Sequence, residues 1–323
     1  MSTYLVTGAA GFIASVVTEQ LIAAGHTVVG LDNLNDAYDV RLKEWRLKRL
    51  QGLEGFTFVR GDINDRAALR PVFARGVDGV FNLAARAGVR QSVEDPWVYV
   101  VTNMEGTVTL LECCREFGVK NFLLASTSSL YGKHNPQPFR EDADTNRPLS
   151  PHAASKKGAE ALCHTYHHLY GINVTIPRFF TVYGPAGRPD MSLFRFVQWI
   201  MEERPVTVNG DGSQSRDFTF VEDIARGAIA GLGVPGYNIV NLGSDTPVVL
   251  NDAIALVERL TGMKAKVKHH PLHAADVMAT WADIGRARSL LSWEPKVSFE
   301  EGVSRLVAWY RDNRAWASQV ATD

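Results

Sequence analysis

The hydroxyl-rich run Ser126-Thr127-Ser128-Ser129 and the pair His152 and Lys156 are the side chains best suited to work on a polar ligand. The hydroxyls follow the apolar run Phe122-Leu123-Leu124-Ala125. They therefore lie at the carboxyl end of a strand, where open α/β sheets bind their ligands. His152 and Lys156 follow Ser150-Pro151, which reads as a helix N-cap and first helical residue. Their four-residue spacing puts both on one helix face. A third group lies near the start of the chain. Tyr4-Leu5-Val6 reads as a buried strand and Thr7-Gly8-Ala9-Ala10-Gly11 as a glycine turn. Beyond it Phe12, Ile13, Val16, Val17, Leu21 and Ile22 recur at helical spacing. Gly8 and Gly11 let backbone approach a phosphate, and the N–H groups at Phe12, Ile13 and the rest of the first turn favour its charge. A second apolar run, Thr27 to Leu31, ends at Asp32. That acid stands about twenty residues past the glycines, where a carboxylate takes both hydroxyls of an adenosine ribose. Strand, helix, second strand and terminal acid together predict dinucleotide binding. Asp32 would repel a phosphorylated ribose, so NAD is favoured over NADP.

The elements that must carry these groups alternate as a doubly wound parallel sheet requires. Phe56-Thr57-Phe58-Val59 is a strand followed by Gly61-Asp62-Ile63. There Asp62 is placed to accept the adenine amino group, with a helix N-cap as its alternative role. Asn33 and Ile63, adjoining the two acids, belong to the same coenzyme surface. Gly79 to Ala85 is the fourth strand, and its small-residue end, Leu83-Ala84-Ala85, lets the coenzyme's middle pass close to backbone. Arg41 to Gln51 reads as a basic helix resting on Leu42, Trp45 and Leu50, its charges a solvated face. Pro96 to Phe117 contains a long helix on which Asn103 is a buried hydrogen-bonding residue. The helix from Ser150 stops at Gly171 and leads into a sixth strand, Ile172 to Ile176. His164, His167 and His168 share helical spacing but lack an acid or cysteine partner, so no metal is expected. Past Arg178 the pattern breaks into short strands, turns and helices. The expected architecture is α/β: a Rossmann domain of residues 1–179 and 217–246, with a smaller α/β substrate domain of residues 180–216 and 247–323.

Composition limits the alternatives. The formal net charge is −1 and 46% of residues are apolar, which points to no nucleic acid and no membrane surface. No run is long and apolar enough to span a bilayer, and with the first strand starting within a few residues of Met1 no leader is expected. Three cysteines, Cys113, Cys114 and Cys163, make no disulfide framework, so a reducing cytoplasm is expected.

Thr7-Gly8-Ala9-Ala10-Gly11-Phe12-Ile13, the Leu83-Ala84-Ala85 strand end, the Ser126 to Gly132 run and the Lys156 helix together resemble the extended short-chain dehydrogenase/reductase family, over essentially the whole chain. Asp32-Asn33-Leu34-Asn35-Asp36, Ala87-Gly88-Val89-Arg90, Arg178 to Pro185, Gly187 to Met191 and Arg216-Asp217-Phe218-Thr219 resemble its UDP-uronate 4-epimerase subgroup. The resemblance implies tightly held NAD and interconversion of UDP-glucuronate and UDP-galacturonate. It assigns the adenosine ribose to Asp32, adenine to Asp62 and the nicotinamide ribose to Lys156, whose charge also lowers the pKa of the catalytic base. Thr127 would bond the reacting sugar hydroxyl, with Ser128 and Ser129 near the sugar. Arg188 would face the sugar carboxylate, Arg216 the diphosphate and Asp276 the uridine ribose, with Arg90 and Thr181 also on the substrate. Family members pair through two helices per subunit, here Pro96–Phe117 and Ser150–Tyr170, which implies a homodimer.

The chain departs from the family at one consequential position. The family places Tyr four residues before the Lys, and here that residue is His152. Imidazole can act as a general base, but it is shorter than a phenol, and Lys156 beside it disfavours the protonated ring. Binding of NAD and a UDP-sugar with strongly reduced turnover is the expectation. Two other readings stay open: decarboxylation of UDP-glucuronate or 4-epimerisation of a neutral UDP-hexose on the same fold, and a non-catalytic NAD- and UDP-sugar-binding protein. Arg188 argues against the neutral hexose. A smaller departure is Ala14, where a third Gly is common.

Overall fold

The computed structural model describes residues 1–271 and 277–322. The strands, numbered along the chain, are β1 (Thr3–Thr7), β2 (Thr27–Asp32), β3 (Phe56–Arg60), β4 (Gly79–Asn82), β5 (Asn121–Leu124), β6 (Ser126–Thr127), β7 (Asn173–Phe179), β8 (Thr181–Tyr183), β9 (Pro205–Asn209), β10 (Ser215–Phe220), β11 (Tyr237–Leu242), β12 (Pro247–Val249) and β13 (Lys266–His270). A wholly parallel sheet runs in the order β11-β7-β5-β4-β1-β2-β3, with β6 extending the pairing alongside β7. The order reverses between β1 and β4, and ligands bind outside the carboxyl ends of strands at such a switch point.

The sheet is buried on both faces, as continuous apolar strands such as Leu5-Val6 and Val80-Phe81 require. On one face the helices Phe12–Ala23 and Val221–Gly231 supply Val17, Leu21, Ile224 and Ala228. On the other, Arg66–Phe73, Gly106–Phe117 and Pro151–Tyr170 supply Leu69, Leu110, Leu111 and Cys163. A third core joins Ser192–Met201, Leu250–Thr261 and Phe299–Ala317 through Phe194, Val197, Ile254, Val257, Leu306 and Tyr310. It is bordered by two small sheets, β12-β10-β8 and β13-β9. Among the described residues no helix is long and apolar enough to cross a membrane.

Two local expectations change. The helix expected after Pro96 does not run uniformly to Phe117: Trp97–Val100 passes through a π turn, Val101–Glu105, into Gly106–Phe117. The turn displays Asn103, which accepts from the Arg86 N–H (2.9 Å) and donates to the Arg86 carbonyl (3.0 Å) and Ser155 Oγ (2.9 Å). This buried residue therefore ties the loop after β4 to the helix that carries His152. The second change is on the helix Val40–Gln51. Glu44, Lys48 and Arg49 are exposed, but Lys43 and Arg46 are buried at 5% and 2% exposure. Its charges are not one solvated face, because neutral acceptors cover two of them: Asn35 for Lys43, and Ala10, Tyr38 and Ala186 for Arg46.

Candidate active site

Every expected site residue that is described lines one cleft of about 820 Å³, formed by the loops at the carboxyl ends of the sheet strands and the segments beyond β7. Asp276 lies outside the described residues.

At one end the chain turns sharply after β1. Gly8 has φ +67°, and a Cβ there would fall 2.8 Å from the Ala84 Cα. The Gly11 N–H closes the turn on the Gly8 carbonyl at 2.7 Å. No side chain caps the following helix at Gly11 and no acid sits in its first turn, so its first N–H groups suit an anion. The Asp32 carboxylate stands at the end of β2, fixed by the N–H groups of Ala10 (3.1 Å) and Leu34 (2.8 Å). Amide donors for a diphosphate, followed by an acceptor for ribose hydroxyls, fit a dinucleotide.

Asp62 accepts from Asn33 Nδ2 (2.8 Å), the Asn64 N–H (2.9 Å) and Asn64 Nδ2 (2.8 Å). Burial pushes its carboxyl up, but these donors outweigh it and hold Asp62 below the usual carboxylate range. The N-cap of Arg66–Phe73 is Asp65, whose side chain accepts from the Ala68 N–H, so Asp62 is free of that role. Lys43, not anticipated from sequence, also lines this end. Its Nζ donates to the Asn35 carbonyl (2.7 Å) and Oδ1 (2.9 Å), and burial lowers its pKa.

Mid-cleft, the helix Pro151–Tyr170 starts as expected, with Ser150 accepting from the Ala153 N–H at 3.2 Å. Lys156 Nζ donates to the Ala125 carbonyl at 2.8 Å, which holds the ammonium beside β6. Burial lowers its pKa to about 8. Thr127 Oγ1 lies 3.1 Å from Ser129 Oγ and accepts from the Ser129 N–H at 3.1 Å. Behind them Glu160, one helical turn past Lys156, accepts from Ser126 Oγ (2.6 Å) and from Arg178 through Nε (3.0 Å) and Nη2 (2.8 Å). This buried pair fixes β6 against the helix, and so Thr127 relative to Lys156.

His152 is buried, and its ring meets Tyr99 edge-on at 5.9 Å. Among the described residues Nδ1 has no hydrogen-bond partner. Burial first, then the charges of Lys156 and Arg188, pull its pKa down to about 3, against a weaker upward pull from the Arg86 backbone. The imidazole is therefore neutral at physiological pH.

At the far end Arg188 Nε and Nη2 donate to Asp190 Oδ1 (3.0 Å) and Oδ2 (2.5 Å), and Nη2 also lies 3.4 Å from the Ala87 carbonyl. Burial works against both charges, but the pairing outweighs it and holds the Asp190 carboxyl below its usual range. Arg216 donates to the Ser215 carbonyl at 2.7 Å, and Arg90 reaches the Asn209 amide oxygen at 2.9 Å. The sequence reading includes Asp190 only within the Gly187 to Met191 stretch and gives it no role of its own. Its place two residues from Arg188, with Pro189 stiffening the link, is what lets the two pair.

The model of the NAD dependent epimerase/dehydratase family matches residues 4–243. The chain is 55% identical over 315 residues to a UDP-glucuronate 4-epimerase of Thermodesulfobacterium geofontis, covering 97% of each chain. Among solved structures it superposes with TM-score 0.90 on the UDP-glucuronic acid 4-epimerase of Bacillus cereus in complex with UDP-glucuronic acid and NAD. The two are 35% identical, over 96% of this chain and 99% of that one. A UDP-glucose 4-epimerase of Thermotoga maritima with UDP-glucose also superposes at 0.90, with 30% identity over 97% and 99%.

Proposed function

The chain belongs to the NAD dependent epimerase/dehydratase family, and from that premise we propose that it interconverts UDP-glucuronate and UDP-galacturonate by inverting C4, with NAD as resident coenzyme. One observation carries the reading: a single cleft holds an uncapped helix N-terminus with Asp32 at one end, Arg188 at the other, and Thr127, His152 and Lys156 between. Residues 1–179 and 217–246 bind NAD; residues 180–216 and 247–323 bind the sugar nucleotide.

When bound, NAD supplies the acceptor and then the donor of hydride at C4. The chain's own groups do the rest. Gly8, Gly11, Phe12 and Ile13 meet the coenzyme diphosphate. Asp32 and Asn33 hold the adenosine ribose, Asp62 and Ile63 the adenine, and Leu83, Ala84 and Ala85 pass close to its middle. Lys156 bonds the nicotinamide ribose. Thr127 fixes the sugar's 4-hydroxyl, Ser128 and Ser129 flank it, and His152 stands in the place of the base, where its weak hold on a proton leaves turnover strongly reduced. Arg188 grips the carboxylate by paired, charge-assisted bonds. Arg216 meets the diphosphate, Arg90 and Thr181 contact the nucleotide sugar, and Asp276 takes the uridine ribose.

A second reading, a binding protein without turnover, is favoured by one observation: an imidazole with pKa about 3 is a poor proton acceptor. Incubating purified protein with UDP-glucuronate and separating the nucleotide sugars decides between them. UDP-galacturonate is the expected product. UDP-xylose would instead assign decarboxylation, and binding without product would assign the second reading. Protein without NAD that binds neither uronate nucleotide would overturn both.

The reading includes a homodimer and a cytoplasmic location. Val93 and Trp97 are 56% and 76% exposed beside Val100 and Val101, and Leu169 lies exposed near the end of Pro151–Tyr170, apolar area suited to a partner's helices. Light scattering should give twice the 35.6 kDa chain mass; a monomer at micromolar concentration would refute the pairing. The free, buried thiols Cys113, Cys114 and Cys163 suit a reducing compartment.

A further inference from the structure

Arg46 is the most completely buried cation on the helix Val40–Gln51, and every acceptor it meets among the described residues is neutral. Nε and Nη2 both donate to the Ala186 carbonyl, at 3.0 and 2.6 Å. Nη2 also reaches the Gly187 carbonyl at 3.2 Å. Nη1 donates to the Ala10 carbonyl (3.1 Å) and to the Tyr38 hydroxyl (2.7 Å). The guanidinium lies 5.8 Å from the Phe12 ring centre and 5.6 Å from that of Tyr38.

A buried cation without a carboxylate costs stability unless its donors are well satisfied. Here the planar fork bridges two backbone segments that are far apart in sequence. One is the glycine turn, through Ala10. The other is the strained loop after β8, where non-glycine Ala186 holds φ +49°. Two donors on the Ala186 carbonyl fix that conformation. The next side chain but one is Arg188.

We propose that Arg46 is a positioning residue that clamps the 186–187 loop to the coenzyme turn and so sets Arg188 for an anionic sugar. The inference rests on the uronate reading above and deepens it. Arg46 does not touch the sugar; it makes carboxylate recognition depend on the geometry of the coenzyme turn. With the clamp gone, the Ala186 carbonyl loses its donors, the loop relaxes, and the Arg188 fork leaves the orientation that Asp190 and the Ala87 carbonyl now hold.

The test is calorimetric titration of NAD-loaded protein, which needs no turnover. UDP-glucuronate is the charged probe and UDP-glucose the neutral one. Losing a charge-assisted contact geometry weakens binding by about 10-fold, so Arg46→Met should lower UDP-glucuronate affinity by about that factor. UDP-glucose affinity should stay within about twofold. In an Arg188→Ala background Arg46→Met should cost nothing further, because the group it positions is absent. Arg46→Lys keeps the charge but bridges fewer carbonyls and should fall between. If Arg46→Met does not fold, Arg46→Lys is read by the same three comparisons. Equal losses for both nucleotides, an unchanged UDP-glucuronate affinity, or full additivity with Arg188→Ala would each overturn the proposal. Wild-type protein that binds neither nucleotide would overturn the uronate reading and the clamp with it. Wild-type that binds UDP-glucuronate no better than Arg46→Met would overturn the clamp alone.

Discussion

His152→Tyr is expected to raise the rate of C4 epimerisation by about 100- to 10,000-fold, the range general-base catalysis supplies. At pKa about 3 the imidazole holds a proton far too weakly to draw one from a sugar hydroxyl as hydride departs. The causes are built in. Burial disfavours the charged ring, and Lys156 and Arg188 repel it. The two cations act oppositely on a phenolate, whose charge they favour, while burial opposes it as it opposes the imidazolium. A phenolate gains from the Lys156 ammonium one helical turn away, so its pKa falls toward neutrality while its reach lengthens. The pH profiles should differ in shape. A group with pKa about 3 stays neutral from about pH 5 upward, so the wild-type rate should show no histidine limb there. The tyrosine variant should rise with pH until its phenol ionises. Lys156, held at about 8, loses its charge above that pH, and the profile should then bend downward. UDP-glucuronate affinity should change little. Equal turnover numbers for the two proteins would show that proton removal is not what limits this chain.

Local signals carried most of the site, and distant ones carried what was missed. The glycine turn, Asp32 and the Ser150 cap are each fixed within a few residues of chain, so spacing alone reveals them. The parallel sheet follows from buried apolar runs alternating with helical patterns. Arg46 was hidden for the opposite reason: its acceptors lie on Ala10 and Ala186, which only the folded chain brings within reach. Lys43 differs, because its acceptor Asn35 is only 8 residues upstream. One signal was available: Lys43, Arg46, Leu47 and Leu50 fall at i, i+3, i+4 and i+7, which puts both cations on the leucine stripe. Gly8 shows the same limit. Backbone approach to a phosphate suggested it, but the left-handed φ and the contact with Ala84 already forbid a side chain there. The π turn at Val101–Glu105 has no spacing signature in the sequence. It becomes intelligible once Asn103 is seen bonding the Arg86 backbone and Ser155.

Arg188→Ala should weaken UDP-glucuronate binding by about 100-fold, the scale of removing one partner from a hydrogen-bonded charge pair. UDP-glucose should lose far less. The substitution also strands Asp190, whose carboxyl is held ionised by the arginine against burial, so part of any stability loss belongs to that orphaned charge. Arg188→Ala with Asp190→Ala separates the two effects, because the double variant should regain stability without regaining UDP-glucuronate affinity. A larger consequence concerns the product. After oxidation at C4 the sugar carries a carboxylate two carbons from a ketone. Carbon dioxide leaves when the C5–C6 bond stands perpendicular to the carbonyl plane: that bond's electrons pass into the ketone as an enolate, which is then protonated at C5. An arginine that holds the carboxylate near the plane denies that alignment. In the His152→Tyr background, where turnover is fast enough to follow, Arg188→Ala should release carbon dioxide and a UDP-4-keto-pentose in place of much of the UDP-galacturonate. The coenzyme should remain reduced, because the hydride then has no matching return. Unchanged UDP-glucuronate affinity with no pentose formed would remove Arg188 from both roles and leave its pairing with Asp190 as a structural contact.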